Sequence, residues 1–496
     1  MGRLPRIAVP ILSLAGCVFF AAFYILIAKQ EKNAVYLLVA GALIAALVLF
    51  SLVWTDRLTP GRVVAVLFFL GFLLRLAYIL YTSIYMRQHD VEGWDGSGHL
   101  GYVMQLYQNH SLPQGDVRDF WQFYHPPFHH LLETVWVALL TALGMDLYTT
   151  AAEGMQFLTL FYSSACMVIF YRLLRAFGVR GWALVISFAV VAFHPTFVLL
   201  AGSVNNDILS ITLMLGAILC TVNWYRNKTV WNILKIALCI GLGMMTKLSA
   251  WMVAPGVAVV FLLALLQNRG RLKPLIGQMC AFGAVCVPLG LWWSIRNFVS
   301  HGVPFAYVPG LGENSHQYIG NFSVLERLFH FDFTNIYHDI PNMGNINPLM
   351  ELFKSAMFDE MVYRDIPIWP YLLFWSGLLL AAAAFAAMLV VLIRKSAAFP
   401  GEMKLLFAVT YVVVLGSYYL FCFQYPHMCT ENARYVVPLI VFGALFLGML
   451  LQGLRDRQEQ GGSVLAVRLC RGVAAGLSGV FAVAASVLYF LVGRLY

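Results

Sequence analysis

Apolar stretches of about 20 residues, the length needed to cross the hydrocarbon core of a bilayer, recur from one end of this chain to the other. Short turns rich in Arg, Pro, Gly and Asn separate them. A soluble core has no room for so much apolar surface: 61% of the 496 residues are hydrophobic and 11% are charged, against roughly a quarter charged in a typical globular chain. Hydrocarbon offers no partner to backbone N–H and C=O groups, so segments of this kind must be helical. The expected fold is an all-α integral membrane protein of about 13 transmembrane helices, with two long extracytoplasmic loops that carry interfacial helices.

The spans are expected at 7–28, 33–54, 63–84, 153–175, 181–200, 206–225, 230–246, 248–267, 275–295, 368–393, 404–424, 433–453 and 470–491. The first follows Arg3 and Arg6 but is too long for the apolar region of a signal peptide and has no small-residue cleavage site. Residues 127–145 are long enough to cross, yet carry His129, His130 and Glu133 in their first two turns. Charge decides their placement, because cytoplasmic loops collect Lys and Arg. With 127–145 kept out of the membrane, 20 of the 32 Lys and Arg fall on the cytoplasmic side, among them Arg57, Arg172, Arg226, Arg269 and Arg394. Letting the stretch cross would invert every later loop. The same assignment puts all 12 His on or near the outer face.

Three parts follow. Residues 1–62 hold two additional N-terminal helices, 63–453 form a core with outer loops 85–152 and 297–367, and 454–496 hold a C-terminal helix. Loops of that length without their own core are commonly functional. The formal charge of +9 sits in short loops and forms no long basic run, so membrane orientation explains it and no nucleic-acid partner is implied. Nine Cys without CxxC spacing indicate neither a zinc site nor a disulfide framework, and only Cys422 and Cys429 are placed to meet. No repeat of 20 to 50 residues is present, which counts against a secondary transporter, the leading alternative; a non-catalytic lipid-handling protein is the other.

Titratable residues concentrate in the first outer loop. It opens with HDVEGWDGSGH, where Asp90, Glu92 and Asp95 lie beside His89 and His99. A carboxylate there can take a proton from an acceptor hydroxyl or amine, or simply cap the helix that starts near Ser97. WQFYHPPFHH follows, in which two prolines suit the mouth of a helix and hold Tyr124 and His125 there, with His129 facing the same way. Such a cluster suits a phosphate or a sugar ring, as well as plain interfacial anchoring. Metal binding by His125 and His129 lacks a placed carboxylate, so no metal site is assigned. Polar residues also punctuate span ends: Asp207 in GSVNND, Lys247 in GMMTKLS, Arg296 in WWSIRNF and Arg434 in ENARYVVP. Charges at such depth face protein or a water-filled cavity or snorkel to the interface. Lys247, Arg296 and Arg434 together can neutralise a lipid phosphate, and Arg75, within a span, is expected to pair with an acid such as Asp207.

The order of these elements, from the acidic motif through YHPPFHH, HPTFVLLAGSVNND, GLGMMTKLS and PLGLWWSIRN to ARYVVPL, resembles the GT-C glycosyltransferase superfamily over roughly residues 63–450. The nearest branch resembles the protein O-mannosyltransferase and aminoarabinose transferase class. The resemblance implies a polyprenyl-phosphate sugar donor among membrane lipids, an extracytoplasmic active site in a cell membrane, and transfer with inversion to a protein, lipid or envelope-polymer acceptor. By position it makes Asp90 or Asp95 the base, matches His125 to the family's HPP element and Lys247 to its TK element, and puts Arg434 near the lipid phosphate. The family's frequent Asp-Glu pair is absent here. No cofactor is implied, a divalent cation being the open case.

Overall fold

The computed structural model describes residues 31–84, 96–333, 336, 346–359, 366, 368–461 and 463–495. Its elements are helical, and no strand occurs among the described residues. In chain order the helices are α1 (Glu31–Trp54), α2 (Pro60–Tyr81), α3 (Gly98–Asn109), α4 (Phe128–Ala142), α5 (Gln156–Ala176), α6 (Gly181–Ala192), α7 (Pro195–Gly202), α8 (Asp207–Arg226) and α9 (Val230–Thr246). They continue with α10 (Ala254–Gln267), α11 (Leu272–His301), α12 (Val324–Phe329), α13 (Pro348–Phe358), α14 (Trp369–Ile393), α15 (Gly401–Gln424), α16 (Val437–Glu459) and α17 (Val464–Leu495).

Among the described residues, nine helical segments are long and apolar enough to cross a membrane, and α6 with α7 make one further span bent by 43°. Two of the expected spans correspond to shorter apolar segments: Gly41–Trp54, the part of α1 whose side chains are described, and Val230–Thr246, which stops where Lys247 turns extended. The stretch 7–28 lies outside the described residues, so the expected thirteen is not established. The stretch 127–145 yields α4, whose 15 residues rise only about 22 Å, short of the roughly 30 Å hydrocarbon core. It packs on α3, in the connection between α2 and α5.

Helix α9 packs against α8 and α11, α10 against α15, and α14 against α16 and α17. The main core runs between α5, the α6–α7 pair, α8 and α16, where Leu173, Val191, Phe197, Leu215 and Val441 are fully buried. The α6–α7 bend has a covalent cause. Pro195 has no N–H to give the carbonyl of Val191, and the N–H of Thr196 turns instead to Nδ1 of His194. Arg75 of α2 replaces the missing donors. Its Nη1 donates to the carbonyls of Ala192 at 2.6 Å and Gly71 at 2.8 Å, its Nη2 to Val191 at 3.3 Å, and its Nε to the Ser163 hydroxyl at 2.8 Å. The approach needs Gly71, since a Cβ there would lie 2.8 Å from the Ala192 carbonyl oxygen.

Two expectations are thereby corrected. Arg75 does not pair with Asp207: its donors are engaged by the interrupted helix, and Asp207 is bonded to Lys247. Cys422 and Cys429 are not joined in a disulfide: Cys422 faces the core at the end of α15 and its Sγ lies 3.6 Å from the carbonyl of Thr430.

Replacing Arg75 by Leu should strand the Ala192 carbonyl inside the bundle, leave the Val191 carbonyl only a long bond of 3.5 Å from the His194 N–H, and cost on the order of 3 kcal/mol. Thermal unfolding in detergent measures this, with Arg75→Lys recovering only part of the loss; an unchanged midpoint in Arg75→Leu contradicts the capping role.

Candidate active-site cavity

Four interruptions of helical structure meet at one end of the bundle. Helix α7 ends at Gly202, and Ser203 to Asn206 form a short connection before α8. Helix α9 ends at Thr246, after which Lys247 is extended (φ −149°, ψ 126°) and a 3-10 turn covers Leu248–Val253. Between α15 and α16 the chain makes two further 3-10 turns, Met428–Thr430 and Ala433–Tyr435. The breaks are closed by side chains. Asn206 donates from Nδ2 to the Thr246 carbonyl at 2.8 Å, and Asn205 accepts the Asp207 N–H at 3.1 Å. The side-chain Oδ1 of Asn432 accepts the Arg434 N–H, and its Nδ2 donates to Asp359.

These interruptions surround a cavity of about 770 Å³. Part of its lining comes from the long connection between α2 and α5, including His99, Trp121, Tyr124 and His125, and part from Val303 to Leu311 in the connection after α11. Lys247 lies in its wall and forms an ion pair of 2.5 Å with Asp207. Asp207 is also the first residue of α8, where a carboxylate meets the positive end of the helix dipole. Tyr435 is shared by two cations: Lys247 Nζ lies 5.3 Å and Arg434 Cζ 5.1 Å from its ring centroid. Arg434 also donates to the Tyr435 hydroxyl at 3.1 Å. The wall reaches the outer surface of the bundle at Trp251 and Leu420, which are 43% and 71% exposed.

The second outer loop is tied to this region by backbone bonds, Ile319 N–H to Pro426 and Met428 N–H to Gln317. A buried ion pair, Arg327 Nη2 to Glu431 at 2.7 Å, joins α12 to the cavity segment. Burial pushes the Glu431 carboxyl up to about 8, against the pull of Arg327. Burial likewise holds His99 and His125 well below the ordinary imidazole range, helped for His125 by the Lys247 charge.

Of the residues singled out from sequence, Tyr124, His125, Asp207, Lys247 and Arg434 line the cavity. His129 and Arg296 do not. His129 points inward to the Val204 carbonyl at 2.9 Å and lies 3.9 Å from Glu133. Arg296 stacks over Trp293 at 4.8 Å and bonds the Asn297 side chain and the Pro113 carbonyl, bracing the first loop against α11. Asp90 and Asp95 lie outside the described residues. Among the described residues no group of three His, Cys, Asp or Glu is placed to hold a metal ion. Sequence reasoning did not select His99, Tyr307 or Tyr435 for the site; the only signal for Tyr435 was its place beside Arg434 in ENARYVVP.

Comparison with known proteins adds to this geometry. Residues 139–311, about a third of the chain, match the family model described as dolichyl-phosphate-mannose-protein mannosyltransferase. That segment contains Asp207, Lys247, Arg296 and the wall residues 303–311. ArnT from Cupriavidus metallidurans, solved bound to undecaprenyl phosphate, is similar in structure, with a TM-score of 0.50 and 13% identity over 85% of this chain and 75% of that one. The archaeal oligosaccharyltransferase AglB from Archaeoglobus fulgidus, in complex with an inhibitory peptide and a dolichol-phosphate, gives a TM-score of 0.50 and 11% identity over 88% and 56%. No curated protein matches the chain. The likeness is one of fold: the chain is a multi-pass membrane protein whose fold is similar to those of ArnT and AglB.

Two outcomes are expected from the buried charges. Lys247→Met should leave the 4% exposed Asp207 side chain uncompensated at about 3–5 kcal/mol, and adding Asp207→Asn should restore most of it; a double-mutant cycle on unfolding midpoints reads the coupling, and purely additive losses refute it. The second concerns Glu133, fully buried with neither carboxyl oxygen hydrogen-bonded and its pKa raised well above the ordinary value by burial. A carboxyl whose folded pKa is raised binds more protons folded than unfolded, so stability falls as pH rises past about 4.3 towards the raised value. Glu133→Gln should flatten this decline in a pH series of melting curves, and an unaltered slope would count against a protonated Glu133.

Proposed function

We propose that the protein is a membrane glycosyltransferase that moves a sugar from a polyprenyl-phosphate carrier to an acceptor outside the cytoplasm. The observation that carries the reading is the pair of cations, Lys247 and Arg434, gathered on one tyrosine in the wall of a helix-break cavity. Like charges held together in a half-buried wall, Asp207 offsetting one of them, favour an added anion, and a phosphate leaving group gains negative charge only as the glycosidic bond breaks. The mannosyltransferase match over 139–311 supports the class, as does the fold shared with ArnT and AglB, one solved with undecaprenyl phosphate and the other with a dolichol-phosphate.

In this reading Lys247 and Arg434 hold the phosphate, Asp207 positions Lys247, and Tyr124 and His125 wall the sugar. The lipid tail leaves the cavity past Trp251 and Leu420 into the surrounding bilayer. Asp90 or Asp95, at the start of the same outer loop, takes the acceptor proton. The acceptor oxygen or nitrogen attacks the anomeric carbon as the carbon–phosphate oxygen bond breaks, and the bond's electrons leave on the polyprenyl phosphate, inverting the centre. The enzyme sits in a cell membrane with this cavity on the outer side.

The test is to incubate purified protein in liposomes with a panel of polyprenyl-phosphate sugars and crude membrane acceptors, following free polyprenyl phosphate by mass spectrometry. Release by the wild type should fall at least about 100-fold in Asp90→Asn or Asp95→Asn, and Lys247→Ala and Arg434→Ala should weaken donor use more than acceptor use. No release from any donor overturns the reading in favour of a transporter.

A further inference from the structure

The sequence marks His129 as a ligand contact, yet it lies outside the cavity lining and is fully buried. Its Nε2 is 2.9 Å from the carbonyl oxygen of Val204. A carbonyl only accepts, so Nε2 carries a proton and donates it, whether the ring is neutral or charged. The Glu133 carboxyl, 3.9 Å from the same nitrogen, is beyond hydrogen-bonding distance and does not compete. The Val204 side chain is held as well, buried in one cluster with Leu100 and Val103 of α3 and Val137 and Leu140 of α4. The packed pair α3 and α4 thus grips one residue by both its backbone and its side chain.

That residue lies in the Ser203–Asn206 connection between α7 and α8. Just before it, Gln156 of α5 donates to the Gly202 carbonyl at 3.0 Å. At its far end Asn206 donates to the Thr246 carbonyl, and Asp207 binds Lys247, the next residue after Thr246. His129 holds the middle. A displacement of Val204 is passed along two residues to Asn206 and three to Asp207, and through their bonds to the end of α9 and the Lys247 ammonium. In a preorganised site a shift of about 1 Å is enough to matter. Helix α4 itself begins three residues after His125, which lines the cavity directly.

We propose that His129 is a positioning residue for the cationic wall: through Val204 it fixes Asp207, and with it the place of Lys247 relative to Tyr124 and His125. The phosphate role of Lys247 rests on the glycosyltransferase reading; its placement by His129 does not.

Competitive acylation of the protein in lipid bilayers, read at Lys247 by peptide mass spectrometry, tests the placement without substrate. His129→Leu should raise the Lys247 labelling rate about 5-fold, while His129→Gln, whose amide N–H reaches the same carbonyl, stays near the wild type. In an Asp207→Asn background, where labelling is already raised, His129→Leu should add little. An unchanged rate in His129→Leu overturns the proposal, as does equal labelling of the Leu and Gln variants or a full further increase over Asp207→Asn. Should His129→Leu fail to fold, His129→Asn, whose shorter amide stops short of Val204, replaces it in every comparison. Binding of polyprenyl phosphate by the same variants gives the second measurement, affinity falling about 5-fold in His129→Leu and recovering in His129→Gln. Altered labelling with unaltered affinity overturns the link between placement and phosphate. A wild type that does not bind the lipid removes the glycosyltransferase reading, and the labelling alone then judges the placement of Lys247.

Discussion

Hydrocarbon cannot hydrogen-bond a peptide group, so every interruption of a spanning helix must be answered from within the protein. The structure depends on how this is done. Arg75 answers the break at Pro195, Asn206 answers the end of α9, and Asn432 with Ser355 answers the turns between α15 and α16. Each answer comes from a residue distant in sequence or on another element, so each break also fastens two parts of the bundle. The cavity lies where the fastening of the α9 end and that of the α15–α16 turns converge. Its wall is therefore held by the same bonds that make irregular backbone tolerable in a membrane protein.

Charge is distributed by the same logic. A buried ion is costly unless paired and hydrogen-bonded, and the acids described near the cavity are engaged in keeping cations in place: Asp207 with Lys247, Glu431 with Arg327. Lys247 is set at the wall by a pair with one neighbour and by the face of Tyr435, which it shares with Arg434. Two positive groups on one aromatic ring accumulate potential in a confined space whose walls are otherwise largely aromatic and aliphatic. A compact anion with an apolar tail complements such a space, with charge directed to Tyr435 and tail to the exposed flank at Trp251 and Leu420.

Most of the spans were legible because twenty apolar residues in a row have few other uses, and α4 was kept out of the membrane by a count of loop charges. Polar residues at span ends were legible as a set, and three of the four chosen, Asp207, Lys247 and Arg434, meet at the cavity with Tyr124 and His125 of the first loop. What the sequence could not supply was direction. His125 and His129 sit one helical turn apart, yet the first reaches the cavity and the second turns to Val204, because Pro127 starts α4 between them and sets its face. Arg75 was paired with an acid by charge matching, whereas its partners are two carbonyls freed by a proline 120 positions later in the chain. Carbonyls exposed by a bend leave no mark in composition.

Buried polar atoms without a protein hydrogen bond concentrate around the cavity and its first-loop wall: Gln122 Oε1, His129 Nδ1, both oxygens of Glu133, Asn205 Nδ2 and Asn206 Oδ1. Each costs about 1–3 kcal/mol where it stands, and apolar replacements would relieve that cost. Several of them adjoin residues that line the cavity, the pattern expected where stability is subordinate to a polar ligand.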